Sequence, residues 1–141
     1  MTLAKHPIEV IATSAAPTPA GHYAQAVAWG GLIFVSGQLP VRPDGTPGAD
    51  QPFEAQVRQT LANVLAILEA AGSGPDGILK VTAYIVGVEH WPMFNGIYAE
   101  VFGSARPARA VVPVPALHHG YLIEIDATAV RRDQISRAET R

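Results

Sequence analysis

The chain contains no cysteine, which excludes disulfides, thiolate nucleophiles and cysteine-ligated metal sites. No apolar run approaches the ~20 residues that a membrane-spanning helix needs. Only 16% of the residues are charged and 7% are aromatic, whereas 48% are hydrophobic. That balance is typical of a folded globular domain. The first residues also lack the basic and apolar segments of a signal peptide. The absence of cysteine suits a reducing compartment, so we expect a cytoplasmic protein that does not contact membranes.

Positive charge is scarce outside the C-terminal segment. Of the ten lysines and arginines, four lie after Val130, whereas only two of the twelve acidic residues lie there. A nucleic-acid-binding protein is expected to carry a basic stripe, and the sequence has none. We therefore expect no nucleic-acid partner. Any anion that the protein recognises must be small and held by one or two arginines.

Sequence signatures of common cofactor and catalytic sites are missing or misplaced. Residues Gly72–Gly77 match the glycine spacing of dinucleotide-binding loops, but they follow a predicted helix and precede a predicted strand, which is the reverse of the required context. The sequence has no phosphate-binding loop, no nucleophile elbow and no zinc-protease motif. His118 and His119 are adjacent, and on a strand they would point to opposite faces. We predict neither a metal nor a cofactor.

Apolar periodicity and glycine or proline boundaries predict the element order β-β-β-α-β-α-β-β. The first helix ends near Gly72 and carries an apolar stripe at helical spacing. The second helix runs from about Trp91 to Phe102, with Pro92 near its start and Gly103 after its end. The two helices can cover one face of a mixed sheet, so the other face needs water or another subunit.

Two β-prone runs near the C-terminus carry isolated charges. The first contains Arg109, and the second contains Glu124 and Asp126. A solvated face or a structural ion pair would explain such charges. The alternative is a small polar site that binds an anion and holds a water. Residues Leu117–Gly120 predict a tight reversal between the runs, so we expect a C-terminal hairpin.

Several motifs occur in a fixed order along the chain, and from about Ala12 to Val130 they resemble the RidA/YjgF family. They are Gly21–Val27, Val35–Pro40, Asn95–Gly103, Arg106–Arg109 and Leu122–Ala127. The resemblance implies an α+β, chorismate-mutase-like fold with two helices packed on one face of a mixed six-stranded sheet. It also implies a homotrimer with intersubunit clefts. The family-like domain would span residues 1–130, followed by a polar C-terminal tail at 131–141.

The best understood members of this family hydrolyse reactive enamines and imines of the 2-aminoacrylate or 2-imino acid type to 2-oxo acids and ammonia. The resemblance therefore implies a 2-iminobutanoate/2-iminopropanoate deaminase-like hydrolase that needs no cofactor. Arg109 would hold the carboxylate of a small-molecule substrate, and Glu124 would position or activate the water. The other positions that the resemblance assigns to the substrate cleft are Tyr23, Ser36, Gly37, Asn95 and Val111.

The sequence departs from the family pattern just after the arginine, where Ala110, Val111 and Pro113 stand in place of frequent polar residues. This apolar surround leaves open a non-catalytic trimeric protein that binds small carboxylates. His22 or His118 could instead meet a second acid group, which leaves open a catabolic deaminase of the aminomuconate type.

The predicted hairpin also bears on where the site lies. In a tight hairpin centred near His119, Arg109 would face Ala129 and Glu124 would face Val114. The two charged residues would then lie roughly 16 Å apart along the strands. That is too far for both to contact a three-carbon substrate. Either a longer loop or a bulge shifts the register of the hairpin, or the two residues come together from neighbouring subunits. The sheet face that no helix covers favours the second option, so we predict an obligate oligomer in which two chains build each cleft.

Overall fold

A computed structural model describes residues 5–136 of the chain. The strands are β1 (Ile8–Ile11), β2 (Ala26–Trp29), β3 (Leu32–Gln38), β4 (Ile78–Ile85), β5 (Ala108–Pro113) and β6 (Ile123–Val130). The helices are α1 (Phe53–Ala70) and α2 (Trp91–Phe102). All six strands form one sheet in the order β1-β2-β3-β6-β4-β5, and only β4 and β5 are parallel neighbours. The predicted element order and mixed six-stranded sheet are confirmed.

The two helices bury their apolar sides against one face of the sheet. On α1, Val57, Leu61 and Leu68 are at most 1% exposed, as the helical spacing of apolar residues predicted. On α2, Pro92 lies in the first turn, and Gly103 ends the helix with a φ of 60° that favours glycine. Phe94, on the side of α2 that faces the sheet, is fully buried. Local sequence signals thus place both helices, and the sheet provides the surface on which they pack.

The predicted C-terminal hairpin is wrong, because β4 lies between β5 and β6. It pairs in parallel with β5 and antiparallel with β6. The order β4, α2, β5 is a strand–helix–strand unit, and such a crossover joins parallel strands. The link from β5 to β6 instead contains a short turn at His118–Gly120, where His119 has a φ of 57°. His118 and His119 lie in this turn and not on a strand, and their rings are 3.7 Å apart.

The sheet has one covered face and one face without a helix, which we call the open face. Along β6, Ile123 and Ile125 are fully buried toward the helices, whereas Glu124 and Asp126 alternate with them and point to the open face. Several large apolar side chains are exposed elsewhere on the sheet, namely Ile8 at 72%, Val10 at 70%, Trp29 at 45% and Phe34 at 45%. The ring of His6 packs edge-on against Trp29, with the ring centres 5.1 Å apart, yet Trp29 stays 45% exposed.

The first residues of the predicted polar tail are held against the domain. The Arg131 side chain forms an ion pair with Glu9 at 2.7 Å and donates a hydrogen bond to the Ala71 carbonyl at 3.1 Å. Residues 137–141, the rest of the predicted tail, lie outside the described residues. Within 5–136, no helix is both long enough and apolar enough to span a bilayer.

Candidate functional site

Glu124 lies in an open pocket, which we call the glutamate pocket. Its lining residues are Tyr23, Ser36, Gly37, Leu39, His118 and Glu124. The pairing of β3 with β6 is irregular between Val35 and Gln38, and this irregularity brings Gly37 against Glu124. A methyl group on Gly37 would lie only 2.7 Å from Oε2 of Glu124. The backbone can approach the carboxylate this closely because glycine has no side chain.

The environment of Glu124 favours its protonated form. Burial raises the pKa of Glu124, the neighbouring Asp126 charge raises it further, and His118 opposes both effects. Within residues 5–136, Glu124 forms no salt bridge that would hold it ionised. A carboxyl group with a raised pKa holds a proton more tightly than an ordinary carboxyl group, so it can accept a proton and return it. Glu124 is therefore equipped for general acid–base chemistry.

Ser36 and Tyr23 present different groups to the same pocket. The Ser36 hydroxyl donates a hydrogen bond to the Ala24 carbonyl at 2.6 Å, so its proton is already engaged. It can offer a ligand only the lone pairs of its oxygen. Tyr23 is 51% exposed, and its side chain borders the pocket from the loop before β2.

Arg109 lies in a second group of residues, which we call the arginine cluster: Arg109, Asn95, Phe94 and Tyr98. Nη1 of Arg109 donates a hydrogen bond to Oδ1 of Asn95 at 2.9 Å. The guanidinium carbon lies 4.9 Å from the Tyr98 ring centre and 5.8 Å from that of Phe94. Among the described residues, the other guanidinium N–H groups have no hydrogen-bond partner, so they can bind a carboxylate through two parallel bonds. Val111 packs nearby against the core.

The glutamate pocket and the arginine cluster do not meet within one chain. Arg109 is paired with Val81 of β4, and its side chain contacts α2 on the covered side. Glu124 is paired with Tyr84 of β4 and points to the open face. The two positions are separated by about 10 Å along the strands and about 10 Å across them. Of the seven predicted site residues, Tyr23, Ser36, Gly37 and Glu124 come together, whereas Arg109, Asn95 and Val111 lie elsewhere.

The structure also adds residues to the site. Leu39, which the sequence did not reveal, lines the glutamate pocket, and so does His118, which the sequence analysis named as a contact for a second acid group of the substrate. Tyr98 lies beneath Arg109, and its position three residues after Asn95 was a usable signal, because such residues share one side of a helix. In the described part of the chain, no three histidine or acidic side chains cluster closely enough to bind a metal ion.

Comparison with known proteins gives consistent matches over nearly the whole chain. The family model described as Endoribonuclease L-PSP matches residues 13–131. A RutC family protein from Pyrococcus horikoshii is 42% identical over 123 residues, which cover 87% of this chain and 98% of that protein. The 2-iminobutanoate/2-iminopropanoate deaminase of Salmonella typhimurium is 39% identical over 127 residues, covering 88% of this chain and 98% of the deaminase.

Solved structures agree with the sequence comparison. E. coli TdcF, crystallised with bound serine, matches with a TM-score of 0.81 and 36% identity, covering 87% of this chain and 98% of TdcF. The two-helix, six-stranded architecture is therefore shared with a protein of clearly related sequence. From the family match, the similar relatives and the common fold, we conclude that the chain belongs to the RidA/YjgF family.

Proposed function

We propose that the protein is a hydrolytic deaminase that converts reactive enamines and imines of the 2-aminoacrylate and 2-imino acid type to 2-oxo acids and ammonia. The observation that carries this proposal is Glu124, a half-buried carboxyl group with a raised pKa that borders an open pocket. The similarity to a 2-iminobutanoate/2-iminopropanoate deaminase supports the same reaction. We also expect action in the cytoplasm and no nucleic-acid partner, as the composition predicted.

In the proposed reaction, Arg109 binds the substrate carboxylate through two N–H groups while Asn95 holds the guanidinium in place. The Glu124 carboxylate accepts a proton as water adds to the carbon of the protonated C=N bond. The resulting tetrahedral carbinolamine takes the proton back on nitrogen. Its hydroxyl group then gives its proton to the Glu124 carboxylate as the C–N bond breaks, so that ammonia leaves and the carbonyl group forms. The carbon of the C=N bond keeps its oxidation state when it becomes a carbonyl carbon, so the reaction needs no redox partner.

We further propose that the cleft is built between chains of a homotrimer, with the glutamate pocket from one chain and the arginine cluster from its neighbour. Two observations support this arrangement. Glu124 and Arg109 lie on opposite sides of the sheet within one chain, so one chain cannot place both on a small substrate. Exposed apolar side chains such as Ile8, Val10 and Phe34 also provide a surface that a second copy of the chain can bury.

Turnover can be measured by adding the protein to a threonine dehydratase reaction and following early release of the 2-oxo acid. We expect the wild-type protein to accelerate release above spontaneous hydrolysis. The rate should fall as the pH drops through the raised pKa of Glu124, because protonation removes the base. Glu124→Gln should lower kcat by about 10²–10⁴-fold. Thermal stabilisation by 2-oxo acids without turnover of imines derived from serine or threonine would instead indicate the non-catalytic binding protein.

Gly37→Ala tests whether the position of the Glu124 carboxylate matters. Gly37 does not adopt a positive φ, so alanine fits its backbone, but the new methyl group would displace Oε2 of Glu124. Because small misplacements of catalytic groups are costly, kcat should fall by about 10²-fold while the melting temperature changes little. Gly96→Ala on α2 is the matched control, since no atom outside its own helix lies within 4 Å of the added methyl. Equal kcat values for the two variants would contradict a positioned carboxylate.

A further inference from the structure

An apolar cavity of about 210 Å³ adjoins the glutamate pocket. It is lined by Pro17, Thr18, Ala20, Tyr23, Gly37, Gln38, Leu39, Val41, His118 and His119. Four of these residues, Tyr23, Gly37, Leu39 and His118, also line the glutamate pocket. The cavity and the glutamate pocket therefore share part of their walls, and Glu124 lines only the glutamate pocket.

Buried amide side chains hold both walls of the cavity in place. Gln25, only 3% exposed, donates hydrogen bonds from Nε2 to the carbonyl oxygens of Thr13 at 3.0 Å and Pro17 at 2.9 Å. Asn63 is fully buried on α1 and donates from Nδ2 to the carbonyl oxygens of Leu39 at 3.1 Å and Val41 at 2.8 Å. The cavity is thus preformed, which reduces the entropy that binding would cost.

The size and lining of the cavity indicate what it can hold. An apolar protein cavity of about 150 Å³ is large enough to bind benzene. The present cavity is larger, and a substrate with a methyl or ethyl side chain would leave most of it empty. Its walls present mainly the carbon atoms of Pro17, Ala20, Leu39 and Val41. An aromatic ring or a branched aliphatic chain matches this lining because burial of its apolar surface is favourable.

We propose that this cavity is the side-chain pocket of the substrate, and that the protein prefers 2-imino acids with aromatic or branched apolar side chains over those with small ones. This inference rests on the proposed deaminase function. The reacting carbon would lie beside Glu124, with the carboxylate at the arginine cluster and the side chain between Ala20 and Val41. Such substrates arise from oxidation of the corresponding amino acids to imines, so an amine-oxidising reaction must supply them.

The same lining disfavours a dicarboxylate substrate of the aminomuconate type. A second carboxylate in the cavity would lose its hydration among apolar walls. His118 and His119 are the only side chains of the lining that can carry a positive charge, and their rings lie 3.7 Å apart. The cavity is therefore better matched to an uncharged side chain.

The test compares two imines that D-amino-acid oxidase, in the presence of catalase, generates in situ from D-phenylalanine and D-alanine. Oxidation removes the stereocentre at Cα, so each imine is the same as the one from the L-amino acid. We expect the wild-type kcat/KM to be about tenfold or more higher for the phenylalanine-derived imine. Ala20→Phe fills the cavity and should abolish this preference. Ala15→Phe adds the same bulk to the same loop outside the cavity and should preserve it. Turnover of the alanine-derived imine with no preference for the larger one would overturn this inference and leave the deaminase function standing.

A binding measurement keeps the inference testable without turnover. In calorimetric titrations, phenylpyruvate should bind the wild-type protein about tenfold or more tightly than pyruvate, and Ala20→Phe should remove the difference. If no imine is hydrolysed but phenylpyruvate still binds preferentially, the deaminase function fails and the side-chain pocket stands. Equal binding of the two 2-oxo acids, or tighter binding of the dicarboxylate 2-oxoadipate, would refute the pocket.

Discussion

Replacing Arg109 with alanine is expected to lower kcat/KM for 2-imino acids by about 10²–10⁴-fold. In the proposed binding mode, the guanidinium makes two charge-assisted hydrogen bonds to the substrate carboxylate, and each would be worth about 1.5–3 kcal/mol. Arg109→Lys should also lower kcat/KM by at least about tenfold, because an ammonium group cannot make the planar, two-pronged contact. Steady-state kinetics with imines generated in the assay measure both values.

Arg106 provides the matched control for this experiment. It lies three residues before Arg109, is exposed, and lines neither the glutamate pocket nor the arginine cluster. Arg106→Ala and Arg106→Lys should therefore keep near-normal kcat/KM. If Arg109→Lys also keeps near-normal kcat/KM, the carboxylate is held by another group and Arg109 is not the anchor.

Mixing two inactive variants is expected to restore activity if two chains build each cleft. Arg109→Ala subunits retain a wild-type glutamate pocket, and Glu124→Gln subunits retain a wild-type arginine cluster. Random association of equal amounts in a closed ring places both wild-type residues in roughly a quarter of the clefts. Co-refolded mixtures should recover a corresponding share of wild-type kcat, and each variant refolded alone should stay inactive.

Verification that the subunits have mixed is essential to this experiment. Distinct affinity tags on the two variants allow tandem purification, so that only mixed oligomers are assayed. In a mixed trimer, roughly a third of the clefts hold both wild-type residues. Mixed oligomers without recovered activity would place Arg109 and Glu124 in the same cleft from one chain. That result would require a conformation in which the two residues approach each other despite lying on opposite sides of the sheet.

Sequence reasoning succeeded where local signals decide the structure. The predicted second helix, Trp91–Phe102, matches α2 because proline favours the first turn and glycine favours the end of a helix. The prediction failed at the C-terminal hairpin, because the choice of a strand's neighbour depends on distant segments. The strand–helix–strand order of β4, α2 and β5 was the signal that pointed to parallel pairing.

The candidate site divides in the same way. Ordered motifs in the sequence indicated Arg109 and Glu124, and in the structure Glu124 and Asp126 alternate along β6 with apolar residues that face the helices. The resemblance assigned Tyr23, Ser36 and Gly37 to the cleft of Glu124, and the structure brings these residues together. Local patterns did not show how they meet, because Gly37 reaches the carboxylate only through an irregular strand pairing. The positions of Leu39 and His118 likewise depend on loops whose conformation is set by contacts far away in the chain.

The sequence by itself determined the types and order of the elements, the two apolar helix faces, the family and the charged residues available for chemistry. These properties follow from side-chain periodicity, turn residues and motifs, all of which act over short stretches of chain. Only the tertiary structure decided that β4 separates β5 from β6, that Arg109 and Glu124 point to opposite sides, and that an apolar cavity adjoins Glu124. Those features depend on the packing of segments that are distant in sequence, which local patterns do not specify.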